Sequence, residues 1–211
     1  MLPPLATLPP SLVFVLDTET TGLSGRSDTR CLQLGAVAYD RQTQAMVSEF
    51  VMLMAPDVWG EQAEDAVRVH GITREYAEAH GVSQLQGWEA WVQWLADVSD
   101  RGEYRGGPHV LAAWNAAFDS AIVREWGQRV RPSNGVMPPW PTWAVAKQYA
   151  ARQGCLMKAY GDWMQAHNVK GSRKLTEASQ RFGLGSQEDI HDALKDAKRA
   201  ADVWLAMEKA G

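Results

Sequence analysis

The sequence Leu12-Val13-Phe14-Val15-Leu16 is followed directly by Asp17-Thr18-Glu19. An apolar run of this length after two prolines predicts a buried strand over about residues 12–17. Side chains alternate along a strand, so Asp17 and Glu19 point to the same side. Because burying unpaired carboxylates costs on the order of several kcal/mol, the motif suits a divalent cation with oxygen ligands, Mg²⁺ or Mn²⁺. Two solvated acids in a turn are the simpler interpretation of this motif alone, so further residues must distinguish the two.

Composition limits the class of protein. The chain has 211 residues, 45% of them hydrophobic, which is typical of one globular domain with a substantial core. Its net charge of −4 argues against the broad basic surface of a non-specific duplex binder, although bound metal ions would add local positive charge. Cys31 and Cys155 fit no metal-ligand spacing, and so few cysteines indicate a reducing compartment. No apolar run approaches the ~20 residues of a membrane span, so we expect a soluble, cytoplasmic protein without a membrane partner.

The hydrophobic pattern predicts an α/β fold. A meander of strands, a later strand flanked by helices, and terminal helices together predict a mixed sheet with antiparallel and parallel parts and helices on its faces. The predicted strands cover about residues 12–17, 31–39, 45–53 and 110–114. The predicted helices cover about residues 61–70, 73–80, 84–98, 116–128, 142–152, 174–182 and 192–209. We expect one domain over 1–211, with an irregular arm over 1–11, a proline-rich loop over 131–141 and a loop or insertion over 153–172.

Trp88, Trp91 and Trp94 lie on one face of the predicted helix over 84–98. Such a stripe could stack on nucleic-acid bases, but aromatic residues on one helix face usually fill a core. We therefore predict that the stripe packs inside the protein.

Two later motifs add acidic residues at helix starts. Asp119, in Asn115-Ala116-Ala117-Phe118-Asp119, falls in the first turn of a helix that Asn115 is predicted to cap, where the helix dipole favours a carboxylate. Asp196 lies on the last predicted helix beside a face of alanines, which permit the close approach of another element. His191 comes just before that helix. Each motif alone has a simpler interpretation: helix-terminus stabilisation for Asp119, and a surface loop for His191.

The motifs are more informative together. Asp17, Glu19, Asp119 and Asp196 supply carboxylates at strand ends and helix starts. Such a set can hold two divalent cations about 4 Å apart, which stabilise both the attacking and the leaving oxygen of an in-line phosphoryl displacement. His191, with an ordinary pKa near ~6.5, can take a proton from the attacking water.

These motifs resemble those of the DnaQ-like 3′–5′ exonucleases of the DEDDh class, which include polymerase proofreading subunits. The resemblance rests on Leu16–Leu23, on Asn115–Asp119, and on His191 with Asp196 after it. Val69–Thr73 is also similar to the family's segment beside the nucleotide. Order and spacing agree from about residue 12 to residue 205. No single motif is specific, but the combination is.

The resemblance implies an RNase H-like fold, two Mg²⁺ or Mn²⁺ ions, and stepwise release of nucleoside 5′-monophosphates from a 3′ end. It assigns the role of general base to His191. It assigns metal binding to Asp17, Glu19, Asp119 and Asp196. The residues it places at the substrate are His70 by the terminal nucleotide, Leu23 against its base, Asp65 near its sugar, and Asn115.

Two positions depart from the family's usual pattern. Trp114 stands where many relatives have His, and Pro141-Thr142 stands where many have Asp-Thr. Neither is a primary ligand, but residues that support ligands typically tune affinity or activity ~10–100-fold. The basic residues over 170–174 are expected to lie near the substrate and could compensate; a solvated basic turn is the alternative.

Other functions explain the motifs less completely. A phosphatase with an aspartyl nucleophile needs Asp where Glu19 stands and gives His191 no role. A non-catalytic nucleic-acid-binding or polymerase-tethering module would be expected to lose a ligand, yet all five positions are intact. We expect an exonuclease acting on the 3′ end of single-stranded DNA in preference to RNA, with a DNA polymerase as a candidate partner. An exoribonuclease of the same fold stays an alternative, because no motif identifies the contacts that read a 2′-OH.

Overall fold

The computed structural model describes residues 11–105, 109–130, 154–185 and 191–210. The strands are β1 (Leu12–Thr20), β2 (Cys31–Asp40), β3 (Met46–Leu53) and β4 (Val110–Ala113). The helices are α1 (Ala63–His70), α2 (Arg74–His80), α3 (Gln84–Ser99), α4 (Ala116–Arg129), α5 (Leu156–Ala166), α6 (Leu175–Arg181) and α7 (Ala193–Ala210). In this described part of the chain, no helix is both long and apolar enough to span a membrane. The predicted loop over 131–141, the predicted helix over 142–152 and nearly all of the predicted N-terminal arm lie outside the described residues.

The four strands form one mixed sheet in the order β3-β2-β1-β4. β1 pairs antiparallel with β2, and β2 pairs antiparallel with β3. On its other side, β1 pairs parallel with β4. The predicted α/β fold, with an antiparallel meander plus a parallel strand, is confirmed.

β1 is longer than the sequence predicts. It continues to Thr20 because β2 offers ladder partners beyond the apolar run. Asp17 pairs with Gly35, and Glu19 pairs with Gln33. Both acidic residues therefore lie inside the strand rather than at its end. The hydrophobic pattern stops at residue 16, so it could not show this continuation.

The two faces of the sheet are covered by different helices. Phe14 of β1 points to the face that α3 covers, where its ring centroid lies 5.5 Å from that of Trp94. α7 covers the other face, where Trp204 meets Tyr39 of β2 with ring centroids 6.5 Å apart. Asp17 and Glu19 lie three and five residues after Phe14 on β1. Because side chains alternate between the two faces of a strand, both acidic residues point to the face opposite Phe14, towards α7.

The tryptophan stripe of α3 belongs to the core, as predicted. Trp88 and Trp91 are each 1% exposed. Trp94 is partly buried, and its indole N–H donates to Ser48 Oγ at 3.0 Å. Trp88 also packs edge-on against Trp126 of α4, with ring centroids 5.0 Å apart. The stripe therefore joins α3 to the sheet and to α4, and it does not offer its rings to bases.

The prediction of a loop over 153–172 is wrong for residues Leu156–Ala166, which form α5, and an insertion at this segment stays a prediction. Leu156, Tyr160 and Met164 recur every four residues, and all three are buried. This is the spacing of an amphipathic helix. Polar residues and Gly161 lie between them and weaken the apolar signal in the sequence.

α7 approaches the sheet closely at Gly35. A Cβ there would lie 2.1 Å from the backbone nitrogen of Leu194 and 2.3 Å from the carbonyl carbon of Ala193. Gln33 supports the same contact, since its Oε1 accepts from the Ala193 N–H at 3.0 Å. Because Gly35 is the ladder partner of Asp17, its missing side chain lets the start of α7 rest over the acidic part of β1.

Gly35→Ala should displace the start of α7 and destabilise the protein by roughly 1–3 kcal/mol, the usual cost of forcing an extra methyl group into a packed contact. Urea unfolding of the variant beside the wild type measures this difference. An unchanged free energy of unfolding would mean that the strand and helix do not meet as closely as described.

Candidate active site

Four acidic side chains meet in one open cleft of about 740 Å³. Asp17 and Glu19 come from β1, Asp119 from the first turn of α4, and Asp196 from the first turn of α7. His191, just before α7, lines the same cleft. The structure thus brings together all five residues that the sequence predicts for metal binding and catalysis.

β4 places the start of α4 in this cleft. It runs parallel beside β1, and Ala113 pairs with Leu16, so the chain leaves β4 next to the acidic part of β1. Asp119 is buried, and it accepts a hydrogen bond at Oδ1 from Thr18 Oγ1 at 2.9 Å. Sequence reasoning missed Thr18. The available signal was its position between two acids on a strand, which turns its side chain to the opposite face, where α3 and α4 pack.

Hydrogen bonds at the start of α7 place Asp196. Asp192 Oδ1 accepts from the Lys195 N–H at 3.0 Å, as a helix N-cap does. Gln33 donates through Nε2 to Asp192 Oδ2 at 3.4 Å. Gln33 is also the ladder partner of Glu19, so one side chain links the strand register to the start of the helix. This link was not visible in the sequence, because its partners lie far apart along the chain.

Burial and mutual repulsion govern the titration of the cluster. Burial raises the pKa of Glu19 to about 7, although the nearby His191 opposes the shift. Burial also raises the pKa of Asp119 to about 7, although the hydrogen bond from Thr18 opposes it. Burial and then the charges of Asp119 and Glu19 raise the pKa of Asp17 well above its usual range. The cleft therefore holds more negative charge than the protein around it compensates.

These residues fit a divalent cation. Glu19 Oε1 is buried and accepts no hydrogen bond from the described residues. One ligand atom from each of Glu19, His191 and Asp196 lies within 4.8 Å of the other two. A hard cation would stabilise a buried carboxylate oxygen that lacks a donor and has further carboxylates beside it. Oxygen ligands of this kind suit Mg²⁺ or Mn²⁺.

His191 is held at two points. Its Nδ1 lies 3.0 Å from Asp196 Oδ2, and its backbone N–H donates to the Val69 carbonyl at 3.3 Å. The hydrogen bond with Asp196 raises the pKa of the imidazole, while burial opposes this shift. The side chain is 44% exposed, so a carboxylate orients the ring while water still reaches it. This arrangement suits a proton acceptor. The imidazole is also close enough to Glu19 and Asp196 to bind a metal ion with them.

A second cleft of about 410 Å³ adjoins the first and is lined in part by Leu23, Asp65 and His70. Leu23 is 63% exposed, and its backbone N–H donates to Gln62 Oε1 at 3.2 Å. Asp65 forms an exposed ion pair with Arg68. The three residues predicted to surround a terminal nucleotide thus lie together beside Glu19.

Both ring nitrogens of His70 contact backbone groups. Its Nδ1 accepts from the Ile72 N–H at 3.0 Å, and its Nε2 lies 3.1 Å from the Thr20 carbonyl oxygen. Burial lowers the pKa of this imidazole. A neutral ring with its proton on Nε2 satisfies both contacts, since that N–H then donates to Thr20. His70 therefore fixes the end of β1 to the turn after α1 and meets the second cleft with its ring rather than with a nitrogen.

Asn115 lines the first cleft, is exposed, and makes no capping hydrogen bond with its side chain. It occupies the N-cap position of α4 as predicted, but the predicted capping contact is absent because its backbone conformation is not that of a usual cap. Its amide therefore faces the cleft.

Comparison with known proteins places this site in context. Residues 14–99 match the RNase_T family, which is described as exonucleases. The PolC-type DNA polymerase III of Thermotoga maritima is 28% identical over 191 residues, which is 90% of this chain and 11% of that protein. The chain thus spans about a ninth of that curated relative.

Solved nuclease structures share the fold. The nuclease domain of 3′hExo, a DEDDh family member bound to rAMP, has a TM-score of 0.69 at 18% identity, over 95% of this chain and 92% of that chain. Cell-death related nuclease 4 has a TM-score of 0.69 at 19% identity, over 97% of this chain and 65% of that chain. The exonuclease I–ssDNA complex of E. coli in its zinc-bound form has a TM-score of 0.67 at 17% identity, over 95% and 41%.

The predicted resemblance to the DnaQ-like DEDDh exonucleases is confirmed. The family match includes Asp17 and Glu19, and the structural matches extend the likeness over nearly the whole chain. The sheet is thus the RNase H-like sheet that the resemblance implied, and the family match supports a nuclease.

Without metal, the stability of the protein should fall as the pH rises from about 5 to about 8, because of the acidic cleft. The pKa of Glu19 is raised from 4.5 to about 7 in the folded protein, so folding favours the protonated carboxyl. That contribution is fully present below the unfolded pKa and is lost as the pH rises through the folded pKa. Melting temperatures in EDTA across this range measure it. A parallel series with Mg²⁺ should show a stabilisation that grows with pH, and a melting temperature in EDTA that rises over the same range would contradict the charge crowding.

Proposed function

We propose that this protein is a metal-dependent 3′–5′ exonuclease that hydrolyses the terminal phosphodiester bond of single-stranded DNA and releases nucleoside 5′-monophosphates. The observation that carries the proposal is the meeting of Asp17, Glu19, Asp119, Asp196 and His191 in one cleft. The chance convergence of four carboxylates, three of them buried, is disfavoured by their repulsion, so a bound counter-charge is the simplest reason for it. We also propose that residues 1–211 form a single exonuclease domain.

Asp17, Glu19, Asp119 and Asp196 would hold two Mg²⁺ or Mn²⁺ ions. When bound, such ions stabilise the charge that develops on the oxygens of the reacting phosphoryl group. The hydrogen bond from Thr18 keeps Asp119 oriented towards the cleft. The second cleft, which Leu23, Asp65 and His70 line, is the proposed site of the terminal nucleotide. Asn115 lies on the wall of the first cleft, beside the proposed path of the strand.

His191 is the proposed general base. It accepts the proton of the attacking water at the ring nitrogen that does not face Asp196, while the water oxygen bonds to phosphorus. The bond between phosphorus and the 3′-oxygen of the preceding nucleotide breaks. That oxygen leaves with a proton from solvent, and the released nucleotide keeps its 5′-phosphate. Asp196 stabilises the imidazolium that forms, since its Oδ2 lies 3.0 Å from Nδ1.

Single-stranded DNA is the proposed substrate in preference to RNA. The PolC-type relative is a DNA polymerase, and one structural neighbour is a complex with single-stranded DNA. The relation to PolC also motivates a DNA polymerase as a proposed partner. An exoribonuclease is the second candidate, because another neighbour holds rAMP.

Asp17→Ala and Asp196→Ala should each abolish hydrolysis while the protein stays folded. Each change removes a proposed ligand and also relieves repulsion, so the stability of the metal-free protein should be unchanged or higher. Cleavage of a labelled oligonucleotide with Mg²⁺, together with a melting curve in EDTA, measures both effects. Asp97→Ala, which removes an exposed carboxylate of α3, is the control and should cleave normally. Normal turnover in either cleft variant would remove the basis of the metal assignment.

The products should show the direction of cleavage. A 5′-labelled strand should shorten stepwise from its 3′ end and yield nucleoside 5′-monophosphates, and a 3′-phosphate on the strand should block the reaction. Matched DNA and RNA strands in the same assay should show faster loss of DNA. Internal cuts or 3′-monophosphates would contradict the proposed reaction, while faster loss of RNA would favour the exoribonuclease alternative.

His191→Ala should slow the chemical step by roughly 10²–10⁴-fold, the usual contribution of a positioned general base. The four carboxylates remain in this variant, so calorimetric titration with Mn²⁺ should show binding close to that of the wild type. A large loss of Mn²⁺ affinity would instead make His191 a ligand, a role that its distance to Glu19 and Asp196 also permits.

A further inference from the structure

Trp114 connects the end of β4 to a basic segment that lines the same cleft. Its indole N–H donates to the Arg173 carbonyl oxygen at 3.1 Å, and its ring packs on Tyr160 of α5 with centroids 5.8 Å apart. Trp114 is only 8% exposed, so this hydrogen bond is partly buried. We name residues 170–174, between α5 and α6, the basic segment; it contains Lys170, Arg173 and Lys174.

The backbone of the basic segment is held at further points. The Ser172 N–H donates to Glu177 Oε2 at 3.1 Å, and the Lys174 N–H donates to Ser172 Oγ at 3.0 Å. Arg181 donates to the Lys170 carbonyl at 3.3 Å. The segment is therefore ordered by the protein itself and does not depend on substrate for its shape.

The side chains of Arg173 and Lys174 are exposed and line the same cleft as the carboxylates. Neither forms an ion pair with a carboxylate of the described residues. The Arg173 guanidinium lies against Gly161 of α5, where a Cβ would come within 2.7 Å of Cζ. Gly161 thus leaves the space in which this guanidinium rests. Among the described residues, no carboxylate pairs with either of these two cations, which face an acidic cleft in a chain whose net charge is −4.

The basic segment and the proposed nucleotide site lie at different ends of the reacting centre. The first cleft contains Arg173 and Lys174, and the second contains Leu23. Of the described residues, the two clefts share Thr18, Glu19 and Phe118. A strand whose last nucleotide occupies the second cleft, and whose terminal phosphate meets the carboxylates, would therefore continue towards Arg173 and Lys174.

We propose that Arg173 and Lys174 bind the phosphodiester backbone on the 5′ side of the bond that is cut, and that Trp114 is the positioning residue that holds them there. This proposal rests on the proposed function. The ligand is the phosphate backbone itself, so the contact is independent of base sequence. It gives a counter-charge to two cations that pair with no carboxylate of the described residues, and it gives a defined role to the tryptophan that directly follows β4.

Salt dependence of binding tests the two cations directly. Fluorescence anisotropy with a phosphorothioate oligonucleotide, which resists hydrolysis, measures affinity at several salt concentrations in Mg²⁺ and in EDTA. Arg173→Gln and Lys174→Gln should each weaken binding and reduce the slope of log affinity against log salt by about 0.7, the value for one phosphate contact on a single strand. The loss should be the same for dT and dA oligomers. Arg41→Gln is the matched control, since Arg41 is exposed at the other end of β1, and it should leave the slope unchanged.

Trp114→Phe tests the positioning role. The variant keeps an aromatic ring against Tyr160 and loses the donor to Arg173. KM should rise several-fold while kcat stays within about twofold of wild type. Adding Trp114→Phe to the double variant Arg173→Gln, Lys174→Gln should change KM little further, because the residues act as one unit. Trp94→Phe removes an indole hydrogen bond elsewhere, to Ser48; it should alter melting temperature without altering KM.

Unchanged salt slopes in both Gln variants would overturn the phosphate contact, and a fall in kcat with constant KM in Trp114→Phe would overturn the positioning role. These results are separable from a failure of the proposed function. If the wild type cleaves no 3′ end with Mg²⁺, the proposed function fails, while the slopes in EDTA still decide whether Arg173 and Lys174 bind phosphate.

Discussion

Repulsion among the carboxylates of Asp17, Glu19, Asp119 and Asp196 is the main unfavourable interaction that the rest of this fold must offset. Burial raises the pKa of Glu19 and of Asp119 to about 7, and the neighbouring charges add to the effect of burial on Asp17. A fold driven by burial alone would place such groups in water, where ionised carboxylates are most stable. Holding them together therefore needs a scaffold whose remaining contacts outweigh the local cost. It also leaves a cleft in which a cation would be more stable than in solution.

Three contacts around β1 provide this scaffold. Gly35 removes a side chain so that the backbone of α7 can lie on the sheet. Gln33 caps that helix from the neighbouring ladder position. Thr18 turns the other way and fixes Asp119 at the start of α4. Each of these contacts depends on the pairing register of β1 and β2. A one-residue slip of that pairing would turn the acidic side chains to the opposite face and separate the cluster.

The cleft combines groups of both charges. Its walls carry the four carboxylates, His191 and the cations of the basic segment. These cations are present without a broadly basic surface, since the whole chain carries a net charge of −4. A few cations placed by a partly buried indole hydrogen bond can act locally where a large positive field is absent. Screening limits the reach of surface charges to about 10 Å at ordinary ionic strength. The tryptophan that departs from the usual family pattern therefore connects the end of β4 to the basic segment.

The sequence by itself predicted which acidic residues would meet in one cleft and the kind of fold that presents them. An apolar run before Asp17 predicted the central strand, and acids at helix starts predicted Asp119 and Asp196 as members of one site. Strand and helix periodicity are local properties, so most elements followed from them; α5 was missed because Gly161 and polar residues interrupt its apolar face. Only the tertiary structure decided the contacts between distant segments. The close approach at Gly35, the pinning of both nitrogens of His70, and the hydrogen bond from Trp114 to Arg173 join residues that no local pattern relates. These contacts depend on strand register and helix packing. Register and packing are determined by how all the core residues are buried together, so a local pattern in the sequence does not reveal them.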